Sequence, residues 1–272
     1  MPSLVRKLTS TALALLTTFA LSPAATASEL AASKKGASVN TVAGVNEALR
    51  DVRASWFYNW ASDPQGVARP AGTEFVPMIW GAGSVTPQNL AKAKSQGTTL
   101  LGFNEPDMSG QANMTVERAL SLWPQLQGTG MRLGAPAVAF GGDRAGGWLD
   151  RFMSGAAAQG RRVDFIPLHW YGGDFSAAAV GQLRGYLQAV YNRYHKPIWL
   201  TEYALTDFSQ NPPRYPSQEQ QAAFVTNSTT MLKGLPFVER YAWFTLSTKT
   251  APTGLYDGTR ANRSGVAYRA AG

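Results

Sequence analysis

From residue 36 onward, short runs of β-branched and aromatic residues alternate with longer segments whose apolar positions repeat at helical spacing. Eight such runs predict strands, over residues 36–40, 54–60, 74–80, 98–104, 132–138, 163–170, 197–203 and 239–246. The clearest helix between them carries Leu183, Tyr186, Leu187, Val190, Tyr191 and Tyr194 on one face. Ser217 with Gln220 forms a capping box before Phe224, Val225, Ser228, Met231 and Leu232, and Gly234 with Pro236 supplies the stop. Thr86 followed by Pro87 opens another helix. Strands and helices alternating in this way predict a parallel sheet covered by helices, and eight repeats of the unit predict an α/β fold, a (β/α)8 TIM barrel. Neither a linker nor an internal repeat beyond this alternation interrupts residues 34–272, which read as a single domain.

The first residues follow a different pattern. Arg6 and Lys7 precede an apolar run over residues 8–21, and Ala25-Thr26-Ala27 fits a cleavage site. Residues 1–27 therefore read as a secretory signal peptide, which predicts a secreted protein with no membrane association after cleavage; a retained anchor is the alternative. The 272 residues include no cysteine, which excludes disulfides and thiolate metal sites. The net charge of +8 falls by two when the signal is removed, and the remaining Lys and Arg are scattered. A nucleic-acid surface is therefore not predicted. A monomer is the default state for such a secreted protein.

In barrels of this kind reactive groups sit at the C-terminal ends of strands. The fourth run ends Gly102-Phe103-Asn104-Glu105-Pro106-Asp107, and the seventh ends Leu200-Thr201-Glu202-Tyr203. A carboxylate at the end of an apolar strand must be paired or desolvated, and two of them three strands apart would face one another across the barrel mouth. Each could instead cap a loop or pair with an arginine. The chemistry that wants two opposed carboxylates is glycoside hydrolysis, in which one protonates the leaving oxygen and the other attacks the anomeric carbon or activates water.

The same ends are rich in groups that suit a sugar. Tyr58, Asn59, Trp60, Trp80, His169, Trp170, Tyr171 and Trp243 are the candidates for substrate binding, because aromatic faces stack on sugar C–H faces and amides, phenols and imidazoles pair with hydroxyls. Strand alternation sends some of these into packing instead. His169 and His195 are the only histidines, and no H-E-x-x-H pattern, P-loop, G-x-S-x-G elbow or dinucleotide fingerprint occurs, so no metal or cofactor is predicted. His169 closes a strand where it can reach a sugar or a catalytic carboxylate, whereas His195 reads as a surface or packing residue.

The segments Gly102-Phe103-Asn104-Glu105-Pro106-Asp107, His169-Trp170-Tyr171, Leu200-Thr201-Glu202-Tyr203-Ala204 and Ser55-Trp56-Phe57-Tyr58-Asn59-Trp60 together resemble glycoside hydrolase family 128. The resemblance covers most of the chain, from Lys35 to about Val266. It implies a retaining β-1,3-glucanase without a metal, acting on β-1,3-glucan or related oligosaccharides, with Glu105 as general acid/base and Glu202 as nucleophile. It also implies that Asn104 bonds the 2-hydroxyl of the reacting sugar. Endo action is the expectation. A mannanase or xylanase of the same barrel clan, or a non-catalytic glucan-binding wall protein, are the alternatives.

Overall fold

The computed structural model describes residues 33–271; the predicted signal peptide lies outside them. All eight predicted strands are present, each shorter than or displaced from its sequence pattern: β1 (Lys35–Ser38), β2 (Trp56–Tyr58), β3 (Glu74–Phe75), β4 (Thr99–Leu100), β5 (Arg132–Leu133), β6 (Ile166–Gly172), β7 (Ile198–Leu205) and β8 (Val238–Trp243). Six of them form one parallel sheet in the order β3-β2-β1-β8-β7-β6, and β4 pairs with β5. The parallel bridges Met78–Leu101 and Gly134–Phe165 join that pair to both edges of the sheet. Neighbours therefore run in sequence order all the way round, and the architecture is the (β/α)8 barrel that the pattern predicts.

The outer layer comprises α1 (Val45–Asp51), α2 (Pro87–Gln96), α3 (Val116–Gln127), α4 (Trp148–Ala158), α5 (Ala178–Tyr194), α6 (Gln218–Gly234) and α7 (Arg263–Ala270). Among the described residues no helix joins β2 to β3. The predicted helix starts are found: Thr86 accepts from Asn89 N–H with Pro87 in the first turn, and the Ser217/Gln220 capping box closes in both directions. On α5, Leu183, Leu187 and Val190 are buried, with Tyr186, Tyr191 and Tyr194 packed beside the core. His195 ends that helix at φ 48°, exposed, with its ring edge-on to Tyr191. A short hairpin of β9 (Tyr256–Asp257) and β10 (Arg260–Ala261), not legible in the sequence, follows β8.

The core has two parts. The larger lies between barrel and helices. The smaller is the barrel interior, where Trp56, Tyr58, Val76, Met78, Leu101, Phe165, Trp199 and Ala242 pack together, with Trp60 and Trp80 above them. Residues 56, 58 and 60 share one face of β2 and its extension, as strand alternation requires, and their rings form a column along the barrel. At the barrel's other end Lys35 is buried and donates to the carbonyls of Tyr268 and Arg269, the C-terminal turn of α7. Burial, reinforced by the charges of Lys233 and Arg53, lowers its ammonium to about 8.

Candidate active site

The carboxylates named from the strand ends are each placed by an irregularity there. After β4 the chain bridges Asn104 to Ala137, and Glu105 then adopts φ 44°, a left-handed conformation that a residue with a Cβ enters only when its surroundings hold it there. Its N–H donates to Ala137 O at 2.7 Å and its carbonyl accepts from Met108 N–H. On β7 the pairing with β6 slips between Leu168 and His169, so that His169 sits opposite Glu202 and Thr201 is the extra residue. Such a bulge re-aims the side chains that follow it. Trp60 is also left-handed, at φ 59°.

These placements bring Glu105, His169 and Glu202 together, all buried, with one ligating atom of each within 4.8 Å of the others. Glu202 is tightly held. Oε1 accepts from Trp60 Nε1–H at 2.9 Å and lies 3.3 Å from the hydroxyl of Tyr58, which also reaches Thr201 O at 3.0 Å. Oε2 accepts from the Tyr171 hydroxyl at 2.5 Å. Burial and then the charge of Glu202 push both phenols well above the ordinary tyrosine range, so they remain donors. On the other side His169 Nδ1 is 2.8 Å from Glu105 Oε1. The three residues could in principle share a cation, but Glu202 already accepts from an indole and a phenol, and Glu105 Oε1 is engaged by His169; a metal would have to displace those bonds.

Above the carboxylates lies a cleft of about 1160 Å³. Of the residues named from sequence, Asn59, Trp60, Trp80, Asn104, Glu105, His169, Trp170, Tyr171 and Glu202 line it. Asn104 is 3 % exposed; its amide donates to Gln111, and its Oδ1 has no partner among the described residues. Asn59 spends its amide on its own loop, bonding Asp63 O. Tyr58 does not line the cleft and instead supports Glu202 from below. Trp170 borders the cleft while its ring stacks on Phe224 of α6. Trp243 is a correction. It pairs in register with Tyr203, is fully buried, packs against Tyr203 and Tyr268 and donates to Thr253 O, so it belongs to the layer between barrel and helices.

Loops supply lining residues that the strand-end reading missed: Met108 after β4, Phe140 after β5 and Phe208 after β7, the two phenylalanines 60 % and 59 % exposed. An available signal was an exposed-type position carrying a large aromatic beside turn residues, as in Phe140-Gly141-Gly142.

A family model described as glycosyl hydrolase catalytic core matches residues 36–268. Among solved structures, an Amycolatopsis mediterranei protein named a GH128 subgroup I endo-β-1,3-glucanase, in complex with laminarihexaose, is 74 % identical, with a TM-score of 0.87 over 88 % of this chain and 99 % of that one. A Sorangium cellulosum subgroup II endo-β-1,3-glucanase is 30 % identical, with a TM-score of 0.74 over 88 % and 99 % of the two chains. Alkali-sensitive linkage protein 1 of Schizosaccharomyces pombe is 35 % identical over 202 residues, 72 % of this chain; the match spans only 35 % of that relative's length. The chain thus belongs to the glycosyl hydrolase catalytic core family and, within it, to glycoside hydrolase family 128.

Proposed function

We propose that this protein is a secreted, retaining endo-β-1,3-glucanase in which Glu202 is the nucleophile and Glu105 the acid/base. One observation carries the reading: two buried glutamates face one another, with oxygens within 4.8 Å, at the base of an open cleft. Retaining glycosidases hold their carboxyl groups about 5–5.5 Å apart, whereas inverting ones leave about 6.5–9.5 Å for a water. The three donors around Glu202 suit a carboxylate that must be ionised and aimed, while the Glu105 carboxyl has, among the described residues, only the imidazole.

The substrate class is supported by the relatives. The Amycolatopsis structures hold laminari-oligosaccharides, and two of their glutamates were substituted; the separation of those two along the chain equals that of Glu105 and Glu202. The cleft's exposed phenylalanines suit stacking on glucosyl rings, and Asn104 Oδ1 is the free acceptor for a hydroxyl beside Glu105. Endo action accords with the subgroup I and II relatives; a Blastomyces gilchristii subgroup III relative, 28 % identical, is named an exo-β-1,3-glucanase. Secretion rests on the signal-like residues 1–27.

In the cycle, Glu202 attacks the anomeric carbon while Glu105 donates its proton to the departing oxygen. Water then attacks the glucosyl ester, giving its proton to Glu105 and freeing Glu202. The test follows the products of linear β-1,3-glucan by NMR, with xylan and mannan as controls. The β-anomer of mixed oligosaccharides should form first from the glucan alone. Initial α-anomer would replace retention with inversion, glucose alone would replace endo with exo action, and binding without products would move the wall-protein reading to the front.

A further inference from the structure

His169 stands between the two glutamates and is used by neither step of the cycle above. Its ring is buried, Nδ1 lies 2.8 Å from Glu105 Oε1, and Nε2 lies 3.5 Å from Glu202 Oε1 and makes no hydrogen bond among the described residues. A proton on the line between Nδ1 and Oε1 therefore has two homes with the same total charge. It can sit on Glu105, beside a neutral imidazole protonated at Nε2, or on His169, whose imidazolium then turns a charged Nε2–H toward Glu202.

We propose that Glu105 and His169 hold the catalytic proton jointly, with His169 a positioning residue that couples the acid/base to the charge on Glu202. The inference rests on the roles assigned to the two glutamates above. In the free enzyme the anionic Glu202 supports the imidazolium form. When Glu202 bonds the anomeric carbon and the glycosidic C–O bond breaks, one proton leaves through Glu105 to the departing oxygen, and the ester carries no charge. With that proton gone His169 is neutral, and the uncharged ester no longer supports a new imidazolium just when Glu105 must act as a base. Attack of water returns one proton to Glu105, breaks the ester and restores the charge, so protons balance over the cycle.

The surroundings agree. Burial opposes charge on the imidazole, yet the charge of Glu202, the hydrogen bond and charge of Glu105, and the charge of Asp107 outweigh it and raise His169 above its ordinary value. Of the other titratable groups on this side of the barrel, Tyr58 and Tyr171 are neutral donors to Glu202, and Asp143, Arg144 and Tyr186 line the cleft without a bond to His169 among the described residues.

With only two histidines in the chain, imidazole NMR resolves His169 against the exposed His195. In the wild-type protein His169 should titrate above about 6.5, and in Glu202→Gln its midpoint should fall by about one pH unit or more while His195 stays fixed. Equal midpoints in the two proteins overturn the inference. Independently, His169→Asn and His169→Gln should move the basic limb of kcat/KM on linear β-1,3-glucan down by about one pH unit, with KM within about threefold. A loss uniform across pH would reduce His169 to a structural role. If the wild type hydrolyses no β-1,3-glucan the functional reading fails, and the NMR comparison still decides whether the charge of Glu202 governs His169.

Discussion

The indole of Trp60 donates to Oε1 of Glu202 at 2.9 Å from a backbone held at φ 59°. A left-handed tryptophan costs free energy, roughly 1–3 kcal/mol for such a residue, and here the geometry aims the N–H at the proposed nucleophile. Trp60→Phe keeps most of the ring and removes the donor. It should lower kcat/KM on β-1,3-glucan about 10- to 100-fold, the effect of one misaligned or lost bond to a charged group, with a change in Tm of only a few degrees. An unchanged kcat/KM would show that Tyr58 and Tyr171 suffice to hold Glu202.

Glu105→Gln should lower hydrolysis of the polymer about 10²- to 10⁴-fold, the usual contribution of a general acid/base. An aryl β-glucoside that the wild type cleaves needs little protonation of its leaving group, so the variant should still form the glucosyl ester from it, and added azide should then restore turnover. The rescued product should be the β-glucosyl azide, detected by NMR. Rescue to the α-azide would reverse the roles of the two glutamates.

Phe140 and Phe208 stand largely in solvent at the cleft's rim, with Phe208 edge-on to Tyr171 and Phe140 beneath the Arg144 guanidinium. Little folding energy depends on them. Replacing either with Ala should raise KM for the polymer about 3- to 10-fold while shifting Tm by no more than about 2 °C, as expected of exposed positions. Loss of stability in place of affinity would assign them to packing.

Lys35 supplies a pH dependence of stability. Its folded-state value is about 8 against 10.5 for the free group, so between these limits the unfolded chain binds the extra proton and stability rises with pH. Relative to Lys35→Met, the wild type should therefore gain about 1–2 kcal/mol between pH 7 and pH 9.5, measured by urea unfolding. The buried tyrosines titrate alike in both proteins and cancel. A constant or shrinking difference would mean that the bonds to the α7 carbonyls hold Lys35 charged.

The eight strands were legible because parallel barrel strands are apolar runs between helical patterns, but their lengths were not. Pairing stops at Leu100 and Leu133 and continues only through single bridges, a twist of the barrel that no local pattern encodes. Glu105 and Glu202 were legible because a carboxylate ending an apolar strand has few structural uses. Trp243 misled for the reason that makes such strands recognisable. A strand buried on both faces shows no alternation of polar and apolar residues, so its sequence does not say which aromatic faces the barrel and which faces the helices. The one-residue slip between Leu168 and His169 was equally invisible, and it decides that His169 meets Glu202. Phe140 and Phe208 come from loops, where the strand rule does not look.

The column Trp56–Tyr58–Trp60 runs from the barrel's packed interior to the carboxylate of Glu202 without a gap. In evolutionary terms this welds the proposed nucleophile to the foundation of the molecule. A mutation that repacks the floor is transmitted along the column to Glu202, so that end of the site is hard to tune one residue at a time. The room for divergence lies instead in the loops that carry Phe140 and Phe208, where a change touches the polymer and leaves the barrel standing.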